Sequence, residues 1–143
     1  MAYWLMKSEP ETWSWAQQKK EGKAGAEWDG VRNFQARNNM RAMKKGDLAF
    51  FYHSGGERAC VGIVKVVKEA HPDSTAAEPQ WECVDVAAVA DLPRPVTLAE
   101  IKDTPQLKDM VLVKNSRLSV QPVTAAEWCK LCALGGLEDP PTA

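Results

Sequence analysis

The sequence lacks the motifs by which common catalytic classes are recognised. It holds only two histidines, His53 and His71. It contains no GxxxxGK phosphate loop, GxGxxG dinucleotide loop, HExxH metal motif or GxSxG nucleophile elbow. Its carboxylates are spread along the chain rather than clustered. We therefore expect a protein that is not an enzyme and that needs neither a metal nor a cofactor.

Long apolar runs are also missing. No segment approaches the roughly 18 apolar residues that a membrane span needs, and MAYWLMKSEP has none of the parts of a secretory signal. We expect an intracellular, cytoplasmic protein with no membrane partner. The 143 residues, 45% hydrophobic and 26% charged, are typical of one globular domain, which we expect to be a monomer.

The four cysteines indicate no metal site. Cys60 and Cys83 lie alone in apolar segments, where a thiol is usually a core residue, and Cys129 and Cys132 form the one close pair. Zinc would need a second pair or histidines at matching spacing. In TAAEWCKLCALGG, a capping box that begins at Thr124 predicts a helix with both thiols beyond its first turn, where a lowered pKa is not expected. A structural role follows.

Strand patterns predict an α+β fold. YWLMK, LAFFYH, CVGIVKVVKEA and WECVDVAAVADL are rich in apolar and alternating residues, which predicts strands over residues 3–7, 48–53, 60–70 and 81–92. The last three follow one another closely. They favour an antiparallel sheet that could close on itself.

Helices are expected around this sheet. TWSWAQQKKEG has Thr12 as a cap and Gly22 as a stop, and residues 33–43 place Ala36, Met40 and Met43 at the spacing of a buried stripe. TLAEIKD and PQLKDM predict short helices after a rigid LPRP turn. VLVKNSRLSVQPVT predicts a strand or an extended surface segment, and residues 138–143 a frayed tail.

A basic patch stands out in a chain whose formal net charge is −1. Residues 28–47 carry five cations against two acids, namely Arg32, Arg37, Arg41, Lys44 and Lys45. A pI near 6.1 argues against a general nucleic-acid coat protein, so nucleic acid would be bound through a patch or a pocket. The alternative is a solvated helix face that keeps the protein soluble.

Aromatic and amide side chains occur where a core does not need them. Trp28 lies in a polar, glycine-flanked loop beside Arg32 and Asn33, which together offer a stacking face, a cation and an amide. Packing in the core is the alternative role for Trp28. His53 and Ser54 end a strand beside a glycine-rich loop, where they would either satisfy local hydrogen bonds or meet a ligand.

Four blocks carry a resemblance to a known family. YWLMKSEP, WDGVRNFQARNNMRAMKKGDLAFFYHS, VGIVKVVKEAHPD and RLSVQPV resemble signature blocks of the EVE domain family of the thymocyte nuclear protein type. The resemblance implies one EVE domain over residues 1–137 with a PUA-like fold, a small curved antiparallel β-barrel with surrounding helices, similar to YTH domains. It also implies a non-catalytic reader of modified bases in DNA or RNA.

Carried over by position, the resemblance implies a pocket built from four segments. The expected pocket residues are Lys7, Ser8, Trp28, Val31, Arg32, Asn33, Tyr52, His53, Ser54, Arg117 and Ser119. The cations expected to bind phosphates beside it are Arg37, Arg41, Lys44 and Lys45. The loop between Ser74 and Trp81 is shorter than in many relatives, and the missing basic N-terminal extension resembles bacterial stand-alone members.

Two other functions stay open from the residues alone. One is an enzyme that acts on a nucleotide or small molecule with His53 as its acid or base. The other is a protein-interaction module whose aromatic residues and basic helix bind an acidic partner.

Overall fold

Six strands form one mixed sheet in the computed structural model, which describes residues 2–142. They are β1 (Tyr3–Ser8), β2 (Ala26–Glu27), β3 (Leu48–His53), β4 (Ala59–Pro72), β5 (Glu82–Thr97) and β6 (Val120–Val123), in the spatial order β2-β5-β4-β3-β1-β6. The antiparallel pairing of β3, β4 and β5 is confirmed. However, β1 runs parallel to β3. Within the described residues β2 and β6 are free edges, so the sheet does not close into the expected barrel.

The first strand joins the two ends of the chain. β1 pairs with β3 on one side and antiparallel with β6 on the other. At its end the Lys7 amide donates to the Ser119 carbonyl at 2.9 Å. Residues far apart in sequence therefore meet at the end of β1.

The longest strands are irregular. The pairing of β4 with β5 shifts register at four places, and such bulges bend a strand and increase its twist. One shift separates the pair Gly62–Asp91 from the pair Cys60–Val96, so residues 92–95 leave the regular ladder. The predicted LPRP turn is therefore wrong. Pro93 and Pro95 are tolerated inside β5 because proline has no backbone N–H to donate and residues at the bulge need no ladder hydrogen bond.

Within residues 2–142, five α-helices and two 3₁₀ turns surround the sheet. The helices are α1 (Trp15–Lys20), α2 (Phe34–Ala42), α3 (Leu98–Asp103), α4 (Val111–Lys114) and α5 (Ala125–Leu134), and the turns are Gly22–Ala24 and Pro105–Leu107. The helix that precedes Gly22 is capped by Ser14 and not by Thr12, because the Ser14 hydroxyl accepts from Gln17 and the Gln17 side chain accepts in return. The capping box at Thr124 is confirmed.

The segment after residue 110 divides between helix and strand. Residues 111–114 form α4, so the expected strand or extended segment is wrong there and right only for β6. Pro122 lies in β6 at the sheet edge, where no ladder donor is needed. In the tail, the Trp128 indole donates to the Pro141 carbonyl at 3.0 Å. Ala143, the end of the expected frayed tail, lies outside the described residues.

Two cores lie on opposite faces of the sheet, as the alternation along β3 requires. The first core, under α1 and α2, contains Trp4, Met6, Trp15, Trp28, Ala36, Met40, Met43, Ala49, Phe51 and Cys83. The second core, under α3, α4 and α5, contains Leu5, Phe50, Tyr52, Cys60, Ile63, Ile101, Leu112, Trp128, Leu131 and Cys132. The buried stripe of α2 is thus confirmed. Cys60, Cys83 and Cys132 are buried, as a structural role requires, whereas Cys129 is exposed, so burial does not support that role for it.

No helix in the described part of the chain combines the length and apolar character of a membrane span.

Candidate functional site

One cavity of about 780 Å³ opens beside the first core, within the size range of small-ligand pockets. It lies between the end of β1, the segment that enters α1, β2 and the loop that enters α2. Its lining consists of Lys7, Ser8, Glu9, Thr12, Trp13, Glu21, Ala26, Glu27, Trp28, Asp29, Gly30, Val31, Arg32, Ser74 and Ser119. Chain segments from both ends of the sequence therefore form one site.

Six of the eleven expected pocket residues line this cavity. They are Lys7, Ser8, Trp28, Val31, Arg32 and Ser119. The other five lie outside the lining, and they are Asn33, Tyr52, His53, Ser54 and Arg117. Three of the four expected segments thus converge, whereas the FYHS segment faces other parts of the molecule.

Three of the residues outside the lining have partners or packing elsewhere in the fold, and a fourth is exposed. Asn33 caps α2, with its Oδ1 accepting from the Ala36 amide at 2.9 Å. Tyr52 is buried in the second core, and burial raises its pKa to about 12. His53 Nε2 accepts from the Trp15 amide at 3.1 Å, and burial lowers the pKa of His53. Arg117 is exposed.

Trp28 is a core residue as well as a wall of the cavity. Only 6% of it is exposed, and its ring meets Phe51 edge to face at 5.4 Å. Its amide donates to the Val84 carbonyl at 2.8 Å. The expected open stacking face is therefore small, because the ring packs mainly into the first core.

Trp13 is a wall residue that the sequence interpretation missed. It is partly buried, and its indole donates to Gln18 Oε1 at 3.0 Å. The Ser8 hydroxyl donates to the Trp13 carbonyl at 2.6 Å, which fixes the turn after β1. The signal was present, because KSEPETW places a tryptophan directly after a turn that leaves an expected pocket segment.

A buried aspartate organises the rim. Asp73 accepts from the Gly30 amide at 2.9 Å, from Arg32 Nη1 at 3.1 Å, and from the amide and hydroxyl of Thr75. Burial alone would raise the pKa of Asp73, but the hydrogen bonds from these donors outweigh it and lower the pKa to about 2. Asp73 thereby ties the Gly30–Arg32 loop to the loop after β4.

The cavity presents both acceptors and donors to a ligand. Burial raises the pKa of Asp29, helped by the nearby charges of Asp73 and Glu27, whereas a hydrogen bond from the Ser74 amide lowers the pKa of Glu27. Burial lowers the pKa of Lys7, whose Nζ donates to the Ser116 carbonyl at 2.6 Å. Carboxylates accept from the exocyclic amines of bases, and cations donate to their ring acceptors.

Three residues of types that bind metals lie close together near the cavity. Glu27, His71 and Cys83 bring three donor atoms within 4.8 Å of one another. Both ring nitrogens of His71 already have partners, Asp85 Oδ1 at 2.7 Å and the Pro72 carbonyl at 3.0 Å. Burial raises the pKa of Cys83, which opposes the thiolate that a metal requires. The absence of a bound metal stays a prediction.

The expected phosphate-binding cations differ in their settings. Arg37 Nη1 donates to the Gln80 carbonyl at 3.0 Å, and Arg41 forms an ion pair with Glu82. Lys44 and Lys45 follow the end of α2 rather than extending its face, because α2 ends at residue 42. The four cations therefore do not form one continuous helix face, and the charge of Arg41 is partly neutralised.

The chain has an α+β fold whose first core opens into a polar, tryptophan-walled cavity within the size range of small-ligand pockets. The EVE domain model matches residues 2–134, and the chain belongs to the EVE domain family.

Relatives support this assignment. The chain is 42% identical to human thymocyte nuclear protein 1 over 159 aligned positions, which cover 89% of the chain and 71% of that protein. The alignment is longer than this chain, so the human protein carries insertions relative to it. A crystal structure of a protein from Agrobacterium tumefaciens matches with 56% identity and a TM-score of 0.98, covering 100% of this chain and 99% of that one.

Two further structures concern complexes. The crystal structure of human THYN1 protein in complex with 5-methylcytosine-containing DNA is 39% identical, with a TM-score of 0.88 and coverage of 99% of this chain and 100% of that one. A YTH domain from Zygosaccharomyces rouxii, in complex with N6-methyladenosine RNA, is 17% identical with a TM-score of 0.57 and coverage of 94% and 86%. The second likeness concerns the fold alone, and the expected relation to YTH domains is confirmed at that level.

Proposed function

We propose that this protein is a non-catalytic reader that holds a modified base of DNA or RNA in the cavity. The observation that carries the proposal is the convergence of Lys7, Ser8, Trp28, Val31, Arg32 and Ser119 on one cavity of small-ligand size. The solved complex of human THYN1 protein with 5-methylcytosine-containing DNA supports the same class of ligand.

The chemistry of the wall suits a base taken out of its stack. Extruding a base costs a few kcal/mol, which contacts to its edge and faces offset. Trp13 and Trp28 supply apolar walls, and Glu27 and Asp29 supply acceptors for an exocyclic amine. One methyl group in an apolar pocket contributes roughly 1 to 3 kcal/mol. A methylated base is therefore preferred over its unmodified form by about ten- to two-hundredfold.

The setting of His53 favours binding over catalysis. A general base needs a free nitrogen within hydrogen-bond reach of the ligand, but His53 Nε2 accepts from the Trp15 amide and His53 lies outside the cavity lining. Among the described lining residues there is no histidine or cysteine. We propose that the protein returns a bound nucleoside unchanged, and mass spectrometry of the nucleoside after incubation tests this.

A matched pair of serines tests the cavity. Ser119 lines it and Ser54 does not, although both were expected in the pocket. Ser119→Ala removes one hydrogen-bonding group from the wall, so we expect it to weaken binding of an oligonucleotide with a central 5-methylcytosine by about two- to tenfold. Ser54→Ala should bind as the unaltered protein does. Titration with oligonucleotides containing cytosine, 5-methylcytosine or 5-hydroxymethylcytosine measures both affinity and preference.

The outcomes separate the candidate functions. An unaltered protein that binds all three oligonucleotides equally would refute the reader. Equal losses in the two serine variants would refute this cavity as the site. Conversion of the base, abolished in His53→Ala, would favour the enzyme instead.

A further inference from the structure

An exposed phenylalanine stacks on a partly buried tryptophan beside the cavity. Phe34, the first residue of α2, stacks on Trp81 with ring centroids 4.8 Å apart and an interplanar angle of 24°. Phe34 is 57% exposed, more than any other large hydrophobic residue in the described part of the chain. A packing role alone does not account for so much open aromatic surface. Exposed apolar surface of this kind marks interaction sites when it forms a patch with a specific setting.

Cations flank the two rings. The Arg32 guanidinium carbon lies 5.6 Å from the centroid of Trp81, and that of Arg37 lies 4.8 Å from the centroid of Phe34. Aromatic faces beside arginines are the combination that binds single-stranded nucleic acid, because the rings stack bases and the cations bind phosphates. The positive charge therefore favours a polyanion over a neutral, apolar partner surface.

Hydrogen bonds fix the aromatic pair to the rim of the cavity. Arg32 both lines the cavity and covers Trp81. The Asp73 amide donates to the Trp81 carbonyl at 3.0 Å, and the Asp73 carboxylate holds Gly30 and Arg32. These bonds tie the backbone of Trp81, on which Phe34 stacks, to the loop that lines the cavity.

We propose that Phe34, supported by Trp81, is a stacking contact for the nucleobase adjacent to the captured one, with Arg37 binding a flanking phosphate and Arg32 held on Asp73. The proposal rests on the proposed reader function and adds a second subsite to it. A base captured in the cavity leaves its neighbour without one stacking partner, and an aromatic ring beside the entrance replaces that partner.

Arg37 changes its contact in this arrangement. In the free protein its guanidinium lies over the Phe34 ring, on surface that a base would use. Stacking of a base on an aromatic ring contributes roughly two to three times the free energy of a cation over an exposed ring. The guanidinium also donates to Asn38 Oδ1 and to the Gln80 carbonyl, all three bonds being on exposed surface. In the proposed complex the base takes the ring face, and the guanidinium exchanges these bonds for a phosphate.

The test compares one nucleoside with two oligonucleotides. The nucleoside is 5-methyl-2′-deoxycytidine, and both oligonucleotides are single strands with a central 5-methylcytosine, one intact and one with abasic sites on both sides of the modified base. The variants are Phe34→Ala, Phe34→Leu and Phe34→Tyr, with Val89→Ala as the control because Val89 is the other exposed large hydrophobic residue. Circular dichroism and thermal melting establish that each variant is folded.

The proposal predicts a specific pattern of affinities. Phe34→Ala should bind the intact oligonucleotide about five- to a hundredfold more weakly, whereas its affinity for the nucleoside changes less than about twofold. Phe34→Leu should behave as Phe34→Ala does, and Phe34→Tyr and Val89→Ala as the unaltered protein does. The affinity of the unaltered protein for the abasic oligonucleotide should fall to the affinity that Phe34→Ala has for the intact one. Phe34→Ala should bind both oligonucleotides equally, because the abasic sites and the substitution remove the same interaction.

Two results would overturn the stacking contact while leaving the reader intact. One is equal binding of the intact oligonucleotide by Phe34→Ala and the unaltered protein. The other is an equal loss for Phe34→Ala on the intact and abasic strands, since the ring would then not contact the adjacent base. By contrast, an unaltered protein that binds methylated and unmethylated ligands equally would refute the proposed function itself.

Discussion

The two faces of the sheet are held together by different kinds of interaction. In the first core each of three indole N–H groups donates to a side chain, those of Trp4, Trp13 and Trp15 to Asp47, Gln18 and Asp91. The second core relies mainly on ring stacking and aliphatic packing, with Trp128 stacked on Phe50 at a centroid distance of 4.1 Å, and the Trp128 indole donates to a backbone carbonyl rather than to a side chain. The cavity opens beside the first core. Of these three tryptophans Trp13 also lines the cavity, so one of these directional hydrogen bonds holds its wall.

This difference has an energetic consequence. Truncating a large buried ring costs about 3 to 5 kcal/mol, because both apolar contact and packing are lost. Leaving a buried polar group without its partner costs about 1 to 3 kcal/mol. The second core should thus respond mainly to changes of volume, and the first core also to changes of charge and pH.

The largest expected effect comes from removing a tryptophan on each face. Trp128→Ala and Trp28→Ala should each lower the free energy of unfolding by about 3 to 5 kcal/mol, because both rings are buried. The folded fraction of Trp128→Ala should keep its preference for a modified base, whereas Trp28→Ala should lose it. Denaturant unfolding and binding at low temperature measure the two properties. A fully stable Trp28→Ala would contradict its place in the first core.

A second effect concerns acid stability. The pKa of Asp73 is about 2 in the folded protein against an ordinary value of 3.8, so Asp73 stabilises the fold above pH 3.8 and this contribution is lost as the pH falls toward 2. A shift of this size corresponds to about 2 kcal/mol at neutral pH. Asp73→Asn should be less stable by about that amount at pH 7.

The difference between Asp73→Asn and the unaltered protein should shrink below pH 4 and be small by pH 2. Unfolding free energies measured between pH 7 and pH 2 test this. A difference that stays constant across the range would mean that the carboxylate is not what holds the rim loops.

The smallest expected effect separates two arginines. Arg37 lies over Phe34 beside the cavity, whereas Arg58 lies near α3. The substitutions Arg37→Gln and Arg58→Gln make the same change of charge. Loss of one phosphate contact flattens the slope of log affinity against log salt by roughly 0.7 to 0.9. Only Arg37→Gln should show this change, and adding Arg41→Gln should add less than a second full contact because Arg41 is paired with Glu82.

Oligonucleotide titrations at several salt concentrations measure these slopes. Identical slopes for Arg37→Gln and Arg58→Gln would favour the alternative role of α2, a solvated face that contributes solubility alone.

Local patterns predicted much of the fold. Leu48–His53 was predicted with its observed bounds, because a short apolar run between turn residues is typical of a buried strand. Residues 111–114 were predicted wrongly since VLVK has strand propensity, which the burial of Leu112 in the second core overrides. The choice of Ser14 over Thr12 as the helix cap is likewise made by the fold, because both residue types cap helices well.

The sequence predicted which chain segments meet at the candidate site better than it predicted which side chains line it. The family resemblance indicated the blocks around Ser8, Trp28 and Ser119, and these meet at the cavity. It did not indicate that Tyr52 faces the second core, which is decided by which face of the sheet each alternate residue of β3 occupies. Nor did it indicate Asp73, whose importance comes from long-range contacts with Gly30 and Arg32.

The pairing of β1 between β3 and β6 also bears on how the protein forms during synthesis. The hydrogen bond from Lys7 to Ser119 closes a loop that contains most of the chain, and contacts of such long range form late and slowly. A ribosome-bound chain that has not yet extended past β6 therefore has Ser8 but not Ser119 at the cavity wall. Binding competence thus arises only once the chain has emerged past β6, so chains that stop before β6 should not compete for the ligand.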